Sequence, residues 1–137
     1  MADCLFCQII AGEVPARVVL EDDRVLAFLD HTPLFPGHLL LVPKVHVETL
    51  ADLPDELIEP LFGQARRLSA VMESGLGAAG SFVALNNKVS QSVPHLHVHV
   101  VPRNRKDGLK GFFWPRTKYA DDAHADQVAD TLRQALA

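Results

Sequence analysis

At 137 residues, 48% of them hydrophobic, the chain is long enough to bury a substantial core without staples. Its 13 Lys and Arg against 17 Asp and Glu leave a formal charge of −4, which argues against a broad electrostatic footprint for a nucleic-acid polymer but allows a small phosphate ligand held by local donors. No apolar run approaches the ~18 residues of a membrane span and MADCLFCQII does not read as a signal peptide, so a cytoplasmic protein with no membrane partner is expected.

Residues 4–11 suit a short helix that Gly12 is placed to end. RVVLE (17–21) and RVLAFLD (24–30) read as strands joined across Asp22 and Asp23, a hairpin. HTPLFPG (31–37) is a loop, and HLLLVP (38–43) a strand whose unbroken apolar run predicts burial on both faces. Leu57, Leu61, Ala65, Leu68 and Met72 recur at helical spacing over 54–74, with a kink or late start expected at Pro60. SFVALN (81–86) and His95–Val101 are further strands, separated by the polar loop 86–94, and 121–136 is a terminal helix with Val128, Leu132 and Leu136 stacked. One α+β domain over 1–137 is predicted, mainly a five-stranded antiparallel sheet with one long helix and one or two shorter ones; 103–137 forms a C-terminal extension.

PHLHVHVVP (94–102) is the most unusual stretch. Alternate residues on a strand share a face, so His95, His97 and His99 line one side while Leu96, Val98 and Val100 point into the core. Neighbouring imidazoles two residues apart sit ~6.7 Å from one another and the outer pair ~13 Å, so the three cannot comfortably share one metal ion. Different tasks for different rings fit better. A neutral imidazole is a competent nucleophile near neutral pH, and attack on phosphorus yields a phosphoramidate whose phosphoryl charge a protonated neighbouring histidine can stabilise. No phosphate-binding G-x-x-x-x-G-K-[ST] loop is present.

His95-Leu-His97-Val-His99-Val-Val resembles the signature of the histidine triad (HIT) family. DCLFCQIIAGEVP, DHTPLFPGHLLLVPK and NN…QSV extend the resemblance over nearly the whole chain. It implies an enzyme, a hydrolase or nucleotidyl transferase that acts at the α-phosphate of purine (adenosine) nucleotide conjugates through a nucleotidyl-histidine intermediate. The conjugate is either a nucleoside phosphoramidate or a dinucleoside polyphosphate. By the same resemblance His97 is the nucleophile, His99 contacts the phosphoryl group, and His95 supports the site. His38 packs beneath the triad, Asp30 binds the ribose hydroxyls, Asn86 lies near the phosphate, and Gln91, Ser92 and Val93 wrap the phosphate and leaving group. A homodimer is implied too. The sequence departs from the family pattern in a short loop after Asn86, in Ser90 where glycine is usual, and in Pro94. Two other readings stay open: a non-catalytic nucleotide-binding partner protein, and a zinc-dependent hydrolase with triad histidines as ligands.

Cys4-Leu-Phe-Cys7 is a C-x-x-C motif that by itself leaves metal binding, redox chemistry or plain burial open. Its two cysteines need two more ligands for zinc, and His46 and His95 are the available partners. Family members with this N-terminal motif hold zinc at these four positions, so the resemblance implies structural zinc on Cys4, Cys7, His46 and His95 and no organic cofactor. His31 reads as a solvated loop residue or one that approaches the nucleotide, and His124 as surface. In the basic, aromatic tract 103–119, Trp114 either reaches over the substrate or a partner subunit, or anchors a surface extension.

Overall fold

The computed structural model describes residues 3–109 and 116–137; Trp114 lies outside them. In chain order the elements are α1 (Leu5–Ile10), β1 (Val18–Glu21), β2 (Val25–Leu29), β3 (Leu39–Pro43), a 3₁₀ turn (Leu50–Asp52), α2 (Asp55–Leu76), β4 (Gly80–Ala84), β5 (Val98–Arg103) and α3 (Asp122–Leu136). The five strands form one antiparallel sheet in the order β1-β2-β3-β5-β4, so the fold is the expected α+β class. The chain divides into two compact units, Met1–Asp107 and Gly108–Ala137.

In the first unit β3 is buried at every position, as its apolar run predicts. Leu39 and Leu41 face α2 and pack with Leu61, Ala65, Leu68 and Met72, together with Leu96, Val98 and Val100. Leu40 and Val42 face the other way and pack with Phe6 of α1 and with Leu26 and Phe28. The sheet is therefore covered on both faces, and the second face carries the histidines. Asp22 makes the β1–β2 turn by accepting the amides of Arg24 and Val25 at 2.7 and 2.9 Å.

Helix α2 starts at Asp55 and continues through Pro60, so the late start does not occur. Proline at 60 frees the Glu56 carbonyl, and the Arg24 guanidinium donates to that carbonyl at 3.2 Å. The helix ends at Gly77 in the left-handed region, φ 69°. Gly37 is fixed more tightly: its φ is 104°, and a Cβ there would run into the Leu76 side chain. This glycine turns the chain immediately before His38.

In the second unit, Asp121 caps α3 by accepting the His124 amide at 2.8 Å. His124 is exposed as expected, and its Nδ1 accepts the Ala120 amide at 3.1 Å. No residue of α3 is buried, so its Val128–Leu132–Leu136 stripe is not part of a core. Among the described residues no helix is long and apolar enough to cross a membrane.

Candidate active site

The predicted strand at His95–Val101 begins later, at Val98. The β3 ladder pairs Leu41 with Val98, Leu40 with His99 and Leu39 with Val100. Before Val98 the hydrogen bonds go elsewhere. The Pro43 carbonyl accepts the His95 ring Nε2–H at 2.8 Å, and the Leu96 amide donates to Val47 at 2.8 Å. The alternation survives the lost ladder, since Leu96, Val98 and Val100 lie in the α2-facing core while Phe6 of α1 meets the rings of His95 and His97 edge-on, at 5.9 and 5.0 Å.

Hydrogen-bond partners determine the tautomer of each ring. His97 Nδ1 donates to the His95 carbonyl at 2.8 Å, so its proton is on Nδ1 and the lone pair on Nε2. His38 Nδ1 accepts the Leu34 amide at 3.0 Å, so the His38 proton is on Nε2, which donates to His99 Nδ1 at 2.9 Å. His99 in turn carries its proton on Nε2. The result is an unprotonated nitrogen on His97 next to a ring N–H donor on His99, with ring centroids 5.0 Å apart. Asp30 Oδ2 lies 3.8 Å from His38 Nε2, and its Oδ1 accepts the Thr32 amide at 2.9 Å.

Both rings line a cavity of about 320 Å³ whose other walls include Leu5, Phe6, Phe28, Leu40 and Asp30, with Ser92 and Val93 on the loop side. His38 sits behind His99, buried. The loop residues divide here. Ser92 and Val93 line the cavity, whereas Gln91 accepts the Lys88 amide and donates to the Glu48 carbonyl, both at 2.7 Å, and Asn86 donates to the Ser90 carbonyl at 3.3 Å. Asn86 and Gln91 thus shape the loop and do not line this cavity. His31 does line it, from the exposed segment after Asp30.

The expectation of a protonated histidine beside the nucleophile is not met in the resting protein. Burial, reinforced by His97 and His38, pushes His99 down to about 4, against a smaller opposing effect of Asp30. Burial also lowers His38. The resting His99 ring is therefore neutral, with a single N–H to donate. The consequence for stability has a definite sign. From about pH 6.5 down to about pH 4 the unfolded chain binds a proton on His99 that the folded chain refuses. Stability from this group is complete above about pH 6.5, falls as pH drops and levels off below about 4. Urea melts should show a loss of about 2 kcal/mol between pH 7 and pH 5 from His99, with His38 adding in the same direction.

Ser90 adopts φ 62°, the left-handed geometry that glycine tolerates best. Its hydroxyl has no hydrogen bond among the described residues, so Ser90→Gly is expected to stabilise the protein by about 0.5–1 kcal/mol, read as a shifted urea midpoint at constant slope.

On the other side of Phe6 is a second cluster. Cys4 Sγ lies 3.3 Å from His95 Nδ1, Cys7 Sγ 3.3 Å from His46 Nδ1 and 3.5 Å from His95 Nδ1. The four ligand atoms all lie within 4.8 Å of one another. A tetrahedral zinc with Zn–S ~2.3 Å and Zn–N ~2.1 Å places sulfur and nitrogen ~3.6 Å apart, so these residues fit the ion. The donor chemistry agrees: with Nε2–H given to the Pro43 carbonyl, His95 offers a bare Nδ1, the second-sphere arrangement of a metal-bound imidazole. Burial and then the adjacent Cys4 sulfur push the Cys7 thiol up, an effect that a divalent cation held by these residues would reverse. Asp30, His38 and His99 also converge, but there the His38 nitrogen facing the group carries a proton, so hydrogen bonding accounts for the trio without an ion.

A HIT domain profile matches residues 11–106. Among curated relatives, the chain is 38% identical to the Protein hit of Bacillus subtilis over 122 residues, 88% of this chain and 83% of that one. It is 35% identical to the adenylylsulfatase HINT3 of Arabidopsis thaliana over 98% of this chain and 70% of that one. With the adenosine 5'-monophosphoramidase HNT1 of Saccharomyces cerevisiae it shares 34% identity over 99% of this chain and 82% of that one. The crystal structure of a HIT family member from Bacillus subtilis superposes with TM-score 0.88 at 32% identity, covering 98% of both chains. A Zn-bound histidine triad protein from Mycobacterium smegmatis superposes with TM-score 0.75 at 32% identity, over 95% of this chain and 98% of that one.

Proposed function

The chain belongs to the HIT family, and on that premise we propose that it is a nucleotidyl hydrolase or transferase that cleaves purine-nucleoside 5'-phosphoryl conjugates, adenosine among them, through a nucleotide bound covalently to His97. The observation that carries this reading is the His97 Nδ1–H donated to the His95 carbonyl at 2.8 Å, which leaves a neutral Nε2 lone pair on a ring that lines the cavity.

Nε2 attacks the α-phosphorus, a P–N bond forms, and the P–N or P–O bond to the leaving group breaks with its electron pair going to the departing atom. His99 Nε2–H donates to a non-bridging oxygen as charge develops there. Asp30 receives the ribose hydroxyls, while Ser92 and Val93 enclose the leaving-group side. Water, or another acceptor, then attacks phosphorus; the P–N bond breaks and His97 recovers its lone pair. Two relatives named for cleaving 5'-adenylyl conjugates with small leaving groups, an amine and a sulfate, support a phosphoramidate-like substrate over a dinucleoside polyphosphate.

Zinc on Cys4, Cys7, His46 and His95 completes the reading as a structural crosslink between α1 and the sheet, and leaves His97 and His99 for phosphorus. The reading includes a homodimer, which static light scattering of the purified chain checks directly. The decisive experiment is an acid quench during turnover of adenosine 5'-phosphoramidate, followed by intact mass and peptide mapping. One nucleotidyl group on the peptide carrying His97 is expected; turnover with no adduct at any quench time would rule the intermediate out.

A further inference from the structure

The cavity at His97 adjoins a larger one of about 580 Å³, and Leu5, Ile9, Phe28, Leu29, Asp30 and His31 line both. A nucleotide with its α-phosphate at His97 and its ribose at Asp30 could extend its base into this second cavity. Val14, Pro15 and Arg17 also line the larger cavity. The Arg17 carbonyl accepts the Leu29 amide at 3.0 Å, so the residue's backbone is tied to the edge of β2 beside Asp30. Its side chain is exposed, and among the described residues it has no ion-pair or hydrogen-bond partner.

A guanidinium only donates hydrogen bonds. The major-groove edge of a 6-oxopurine offers it two acceptors, O6 and N7, whereas adenine pairs the N7 acceptor with an N6 amino donor. A second phosphate on the ribose is the other ligand an arginine would attract, but it would have to lie against the Asp30 carboxylate. Resting on the nucleotide reading above, we propose that Arg17 reads the base edge and that the site prefers 6-oxopurine nucleotides, guanosine and inosine, over adenosine.

Calorimetric titration of the full chain and of Arg17→Met with GMP, IMP and AMP tests this. Because the contact is solvent-exposed, GMP and IMP should bind the natural chain roughly 5- to 20-fold more tightly than AMP, the lower part of the range for a bidentate arginine contact. In Arg17→Met the ratio should fall to about one, through weaker GMP and IMP binding. Equal affinities in the natural chain, or a preference that survives Arg17→Met, would overturn the proposal. A GMP preference not shared by IMP would also overturn it, because the guanine 2-amino group would then be the group recognised. Equal binding with the His97 adduct still forming defeats the base-edge assignment alone, whereas no binding of any of the three defeats the nucleotide reading with it.

Discussion

His97→Ala should lower turnover of adenosine 5'-phosphoramidate by about four orders of magnitude or more while AMP still binds. The size of the loss follows from what the ring supplies. Its lone pair is available without prior proton transfer, because the His95 carbonyl already holds the Nδ1 proton at 2.8 Å. Neither His38 nor His99 offers this, since each spends its unprotonated nitrogen accepting a hydrogen bond. Truncation also removes the edge contact with Phe6, and a buried ring lost from a packed wall costs about 1–3 kcal/mol of stability. AMP binding is therefore measured alongside single-turnover rates, to separate lost chemistry from lost folding. A His97→Ala protein that turns over within about tenfold of the natural chain would remove His97 from the reaction.

The second large effect concerns the Cys4–Cys7–His46–His95 cluster. The purified protein should carry about one equivalent of zinc, and Cys4→Ala should lose it with a drop in stability of about 3 kcal/mol or more, roughly 10 °C in the melting midpoint. The expected size reflects how short α1 is and how its first turn depends on Cys4. The helix has six residues, too few to persist alone, and Phe6 is its one buried residue. Cys4 also receives the Cys7 amide as N-cap at 3.3 Å, a contact worth about 1 kcal/mol, so Cys4→Ser, which keeps a cap, separates the two effects. Chelation should lower the melting midpoint before it lowers turnover. Immediate loss of turnover in a still-folded protein would instead place the metal in the reaction, and zinc-free preparations with an unchanged Cys4→Ala midpoint would leave the cysteines as buried thiols.

Much of this arrangement was legible in the sequence because it depends on short periodicities. Alternation put the three histidines opposite Leu96, Val98 and Val100, and the HLLLVP run marked the strand covered on both faces. What was not legible depends on partners distant in the chain. The late start of β5 comes from a histidine ring taking the Pro43 carbonyl that a ladder amide would have used. Helix α2 survives Pro60 because a guanidinium from the β1–β2 turn reaches the freed carbonyl. The neutrality of His99 is a matter of burial, which a strand pattern does not measure. Arg17 had no motif to draw attention to it; only the shape of the cavity around Asp30 did.

The proton on His97 is anchored by main chain, and the residue that supplies the anchor is itself tethered through its ring to Pro43. Mutation can exchange any side chain but cannot delete a peptide oxygen. A substitution elsewhere therefore reaches the His97 tautomer by displacing the chain around position 95, where the His95 Nδ1 faces the sulfurs of Cys4 and Cys7 at 3.3 and 3.5 Å.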